Sequence, residues 1–112
     1  MRKVKRVGMV IGIKPERIEE YKALHADGHR GVRDLLEKAH MRNFSIFMGK
    51  LDDGKVYLFG TYEYVGEDFE ADMADLAREG RIQEWLAMCN PLQGPLEGEE
   101  SWAPLEVVYF NA

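Results

Sequence analysis

Two runs rich in aromatic and β-branched residues, NFSIFMG over 43–49 and VYLFGTYEY over 56–64, are separated by a segment containing LDDGK. An Asp-Gly pair between such runs is a strong short-range hairpin signal, so Asp53-Gly54 predicts two antiparallel strands. Alternation along them leaves apolar side chains on both faces: Phe44, Ile46 and Met48 against Phe47, and Leu58, Tyr62 and Tyr64 against Tyr57 and Phe59. A sheet of this kind leaves neither face to water, and the rest of the chain must be organised around covering two surfaces.

The remaining segments supply one cover. In VKRVGMVIGI, residues 4–13, Val7, Met9, Ile11 and Ile13 alternate onto one face of a first strand. Pro15 suits a first helical turn, and Glu16, Glu19 and Glu20 sit near the positive end of the helix dipole. Ile18, Tyr21, Leu24, Gly28, Val32, Leu35 and Ala39 then recur at steps of three and four, which predicts a long helix to about residue 39. Gly28 and Gly31 each disfavour helix by about 1 kcal/mol relative to alanine, so a bend or close packing is expected there. Phe69, Met73, Leu76 and Ala77 mark a helix over 67–79, with Gly80 as its C-cap, and Ile82, Trp85, Leu86 and Cys89 mark a second short helix. Residues 90–104, NPLQGPLEGEESWAP, hold three of the four prolines and two glycines, and read as a loop or arm at a dimer interface. LEVVYF, residues 105–110, reads as a last strand, again apolar on both faces through Val107 and Tyr109 against Val108 and Phe110.

The order β-α-β-β-α-β is that of an α+β, ferredoxin-like single domain over residues 1–112, a four-stranded antiparallel sheet with helices on one face. The simplest cover for the second face is the same sheet from another copy, which makes a homodimer of the dimeric α/β barrel type the expectation. With 15 Lys+Arg against 20 Asp+Glu and a formal net charge of −5, the chain has no basic block for a phosphate backbone or an anionic membrane. Nucleic acid and membrane are therefore not expected as partners. No apolar run approaches a membrane span, and the single cysteine, Cys89, fits a reducing cytoplasmic location.

Tyr21, His25 and His29 fall at i, i+4 and i+8, one ridge of the predicted helix. An imidazole exchanges protons near neutrality and a phenol orients or relays them, so the ridge is acid–base equipment without a nucleophile. The same spacing also describes a core-edge tyrosine with two solvated histidines. His25 and His29 match the spacing of paired zinc ligands, but Ala26-Asp27-Gly28 lies between them and no third ligand is tied to the pair, so no metal is expected. Trp85 suits either core packing or a platform for the apolar face of a sugar, and Trp102 either such a platform or a dimer clamp. Nucleotide-binding and serine-hydrolase motifs are absent.

Lys14-Pro15, Glu19-Glu20-Tyr21 with His25 four residues on, Asn43-Phe44-Ser45-Ile46-Phe47, Gln83-Glu84-Trp85, Asn90-Pro91 and Leu105-Glu106-Val107-Val108-Tyr109 follow one another in an order that resembles the L-rhamnose mutarotase family nearly end to end. That family consists of small dimeric ferredoxin-like proteins that interconvert the α and β anomers of a deoxy-aldose. The resemblance implies a monosaccharide substrate, no cofactor, His25 as proton donor and Tyr21 as a catalytic sugar contact, with Trp85, Phe44, His29 and Asn43 as substrate-binding residues. The chain departs from the pattern in three places: Phe44 replaces a tyrosine, Leu86 replaces the second tryptophan of the late helix, and His29 stands where the family has a tryptophan. Losing hydroxyl or indole donors bears directly on which sugar is accepted. The rival readings on the same scaffold are a small-molecule binding module and a cofactor-free monooxygenase or cyclase, since fold does not fix function.

Overall fold

The computed structural model describes residues 4–112. β1 (Lys5–Ile13) and β3 (Val56–Tyr64) pair antiparallel from Lys5↔Tyr64 to Gly12↔Tyr57, and β2 (Met41–Lys50) pairs antiparallel with the far edge of β3. The hairpin turn closes where Asp53-Gly54 predicts it, with Leu51 N donating to Lys55 O and Gly54 N to Leu51 O. β2 carries a bulge between Arg42 and Ser45, where Asn43 adopts φ +54°.

The other edge of β1 is filled in two pieces, which differs from the single closing strand expected over 105–110. β4 (Gln93–Gly94) pairs with Gly12 and Ile13, and β5 (Ala103–Leu105) pairs with Gly8, Met9 and Val10. Residues 90–104 are thus only partly loop. Pro104, which has no N–H to donate, is accommodated on this outermost position. Residues 106–110 form no ladder among the described residues, because β-propensity marks a side-chain set suited to a pleated surface and does not supply the partner. With β4 and β5 together occupying one edge, the order β2-β3-β1-β4/β5 is that of the α+β, ferredoxin-like sheet.

The helices cover one face of the sheet. The predicted long first helix is instead a 3₁₀ turn (Pro15–Arg17), α1 (Ile18–Leu24), an irregular turn and α2 (Arg33–Lys38). The bend lies where the glycines predict it, and Gly31 takes φ +56°, a backbone state that side chains resist. α3 (Phe69–Ala77) is capped by Asp68, whose carboxylate accepts from Ala71 N. Gly80 is not a C-cap: it opens α4 (Gly80–Cys89), since α3 already ends at Arg78.

Three neighbouring clusters form the core: Ile11, Ile13, Tyr21, Leu58, Cys89 and Leu92; Val32, Leu35 and Ile82; and Met41, Tyr62 and Tyr64. Trp85 packs against the first two and joins them. The face away from the helices carries exposed Phe47, and Val108 and Tyr109 of the terminal segment are more than four-fifths exposed.

β1 and β4 approach so closely at Gly12 that a Cβ there would lie 2.6 Å from the Gly94 carbonyl oxygen. Gly12→Ala is therefore expected to force β4 off the sheet edge and lower stability by about 1–3 kcal/mol in urea unfolding, the usual range for overpacking. An unchanged midpoint would show that β4 yields freely.

Candidate active site

A cavity of about 430 Å³ lies between the helices and the sheet. The sequence places Tyr21 on the buried side of α1, where it is only 5% exposed, and the helix stops three residues later. At the stop, the backbone N–H of His25 bonds Lys22 O (3.1 Å), and the His25 ring Nδ1 lies 2.8 Å from Tyr21 O. A carbonyl can only accept, so Nδ1 carries the proton and Nε2 keeps its lone pair. Nε2 has no protein partner among the described residues, and the ring lines the cavity.

The imidazole is clamped by aromatic neighbours. It stacks on Tyr21 at 4.2 Å between ring centroids and meets Trp85 edge-on at 5.0 Å. Burial lowers the His25 pKa below the ordinary histidine value; its bond to Tyr21 O opposes the shift, and Arg33 and His29 add to it. His25 is accordingly a neutral base at pH 7. The turn that follows is held by Arg33, whose guanidinium donates to the carbonyls of His25, Ala26 and Asp27 at 3.0–3.2 Å.

The Tyr21 hydroxyl accepts a hydrogen bond from Gln93 Nε2 at 3.3 Å, which leaves its own O–H free to donate. Burial pushes the phenol up to about 12, so it stays protonated at neutral pH. Phe44, stacked on Tyr62 at 5.2 Å, Ile46, Trp85 and Leu86 supply apolar wall. The Cys89 thiol, pushed by burial up to about 11, is not a thiolate at pH 7.

Four of the six residues singled out from the sequence, Tyr21, His25, Phe44 and Trp85, line this cavity. His29 and Asn43 do not. His29 is exposed on the turn, its Nδ1 accepting from Gly31 N, with its ring 5.9 Å from that of Trp85. Once α1 ends at Leu24 the i, i+4, i+8 ridge no longer exists, and neither does the paired spacing of His25 and His29 on consecutive helical turns. Asn43, turned outward by the β2 bulge, donates to Glu63 Oε1 at 2.8 Å.

Two polar cavity residues, Gln93 and Arg33, escaped the sequence reading as site residues, and Trp102, read there as a platform or a dimer clamp, lines the cavity as well. Gln93 and Trp102 lie in the proline-rich segment taken for a loop or arm, and Arg33 lay hidden in what looked like continuous helix. Nothing in the sequence marks Gln93, since its burial to 7% exposure follows from the pairing of β4 with β1.

A ferredoxin-like α+β chain whose helix-covered face holds one neutral histidine, one protonated tyrosine and an otherwise largely apolar cavity is equipped for acid–base chemistry on a small polar molecule. A family model described as rhaM, L-rhamnose mutarotase, matches residues 6–110. The chain belongs to the L-rhamnose mutarotase family, and its class of activity is that of an isomerase interconverting sugar anomers. Among solved structures it is similar to the L-rhamnose mutarotase FA22100 from Formosa agariphila, at 19% identity and TM-score 0.68, over 96% of this chain and 99% of that one. No curated protein sequence matches it significantly. No helix among the described residues is long and apolar enough to cross a membrane.

The electrostatics of the pocket are testable without substrate. The His25 ring is expected to titrate by NMR below the ordinary value of about 6.5, and Arg33→Met to raise its midpoint by removing a nearby positive charge. A midpoint at or above that value in the wild type would contradict the burial described here.

Proposed function

We propose that the cavity catalyses α/β anomer exchange of L-rhamnose or a closely related deoxy-aldose, with His25 as the general acid/base and Tyr21 as the group that orients the sugar. The observation that carries this reading is the free Nε2 of a tautomer-fixed, neutral His25 stacked on a phenol whose O–H is also free. Ring opening of a hemiacetal moves one proton from the anomeric hydroxyl to the ring oxygen as the bond between C1 and that oxygen breaks. His25 Nε2 takes the anomeric proton, and the resulting imidazolium delivers it to the ring oxygen, which is bonded to the same carbon. The aldehyde then turns about its C1–C2 bond and closes on the opposite face, with the proton returning by the reverse route. Tyr21 donates a hydrogen bond to a sugar oxygen throughout and is not deprotonated. Trp85 and Phe44 support the C–H face of the sugar ring.

Saturation transfer between the anomers of L-rhamnose and of L-fucose measures this exchange directly. The wild type is expected to accelerate exchange well above the buffer rate for at least one of them, and His25→Ala to lose at least a hundredfold, the lower range for a positioned acid–base group. Wild-type exchange in His25→Ala would remove His25 from its role. Because the neutral imidazole is the reactant, kcat/KM is expected to hold above neutrality and to fall as pH drops through a value below about 6.5. A rate that rises on acidification would assign the first proton transfer to an imidazolium.

We also propose that two copies associate through the sheet faces away from the helices. Exposed Phe47 and the terminal segment with Val107, Val108 and Tyr109 support this, since an apolar patch of that extent is unusual on a monomer. Light scattering is expected to give twice the 12.9 kDa chain mass, and Val108→Asp to shift the mass toward one chain. A wild type that runs as a monomer at tens of micromolar would end this proposal.

A further inference from the structure

Gln93 stands apart from the other cavity residues. It is a polar side chain buried to 7% exposure, and its backbone is fixed at both sides. β4 pairs it with Ile13, and the preceding Leu92 carbonyl accepts from Lys14 N at 2.9 Å. A carboxamide offers two N–H donors and an acceptor oxygen. One donor goes to the Tyr21 hydroxyl; the second donor and Oε1 have no partner among the described residues, although the side chain lines the cavity. Neither is a fully buried atom left without a partner, so both open onto the cavity, where a donor beside an acceptor complements a hydroxyl, or two adjacent hydroxyls, of a bound polyol.

We propose that Gln93 is a specificity-determining residue that reads a ring hydroxyl of the sugar through its free amide groups while its bonded N–H keeps the Tyr21 O–H directed at the substrate. This rests on the mutarotase reading of the cavity. It assigns the hydroxyl-bearing edge of the sugar to the β4 side, and leaves the C–H face to Trp85, Phe44 and Trp102. Discrimination by such a group is steep, because a sugar lacking the hydroxyl covers the amide without pairing it.

The test combines Gln93→Leu with monodeoxy derivatives of the accepted sugar, each lacking one ring hydroxyl. Anomer exchange gives kcat and KM, and quenching of the cavity tryptophans gives Kd independently of turnover. One derivative is expected to bind the wild type roughly ten- to a hundredfold more weakly than the parent sugar, and to show no such difference in Gln93→Leu, as a thermodynamic cycle requires when the two groups touch. The acid limb of the pH profile, set by His25, is expected to stay in place. A folded Gln93→Leu that weakens every sugar by one common factor, or none, overturns the proposal. If Gln93→Leu does not fold, the wild type alone decides: equal affinity for all the derivatives overturns it. Should the wild type bind sugars without exchanging their anomers, the mutarotase reading fails while the binding cycle still judges Gln93. If it does neither, both fall.

Discussion

An α-helix leaves its last carbonyls without intrahelical donors, and in this chain one of those carbonyls organises the site. Continuing the helix would have sent the His25 N–H to Tyr21 O. Instead that N–H goes back only three residues, to Lys22 O, and the imidazole of the same residue takes the vacated carbonyl. A single exchange of donors thereby ends α1, fixes the tautomer, and leaves Nε2 as the free nitrogen of a ring already packed on Tyr21. The exchange is stable because the following turn has its own donors: one guanidinium, that of Arg33, bonds three successive carbonyls, and Gly31 adopts the positive φ that carries the chain past the Trp85 ring, 3.6 Å from where a Cβ would stand.

The second half of the site comes from the opposite end of the sequence. Gln93 is 72 residues from Tyr21, and what brings them together is the edge of β1. Gly12 and Gly94 let two backbones approach more closely than any side chain would allow, so β4 is held by its ladder with β1 together with the fully buried Leu92 just before it. A buried amide gains most from such a rigid mount, since an orienting hydrogen bond in a site of low polarity is only as good as its geometry. β5 then returns along the same edge and brings Trp102 over the cavity wall.

Much of this was legible in the sequence. The alternation in 4–13 and 56–64 and the Asp-Gly turn give the sheet and its register, because period-two patterns and hairpin turns are local signals. Tyr21, His25, Phe44 and Trp85 were recoverable because each sits on a patterned segment or within the family resemblance. What was illegible depended on non-local balance. The stripe through Gly28, Val32, Leu35 and Ala39 keeps helical spacing even though the chain breaks between Leu24 and Arg33, since both pieces face the same sheet and the period survives an interruption. Asn43 entered through the family resemblance alone, and the bulge beside it turns its side chain to Glu63 rather than to the cavity that Phe44 and Ile46 line. Gln93 and Trp102 lay in a segment whose prolines obscured two short strands that exist only through pairing with β1.

The polarity of the cavity and the ionisation of its base are one physical fact. Walls of Phe44, Ile46, Trp85 and Leu86 make the imidazolium costly, and the lowered His25 pKa is the measure of that cost. For many reactions a largely apolar pocket without a carboxylate behind the histidine would be a poor design, because charge formed in the transition state would stay uncompensated. Anomer exchange is different. In the exchange proposed for His25 the proton leaves one oxygen and arrives at another on the same carbon, so the imidazolium is transient and the product is as neutral as the reactant. The face of the stacked Tyr21 ring gives such a short-lived cation modest support without a permanent counter-charge. An apolar pocket therefore leaves the chemistry intact while it raises the penalty for any sugar hydroxyl that finds no partner. With Phe44 where the family pattern has a tyrosine, few polar side chains line the cavity, and under the proposed reading each of them weighs more in the choice of sugar.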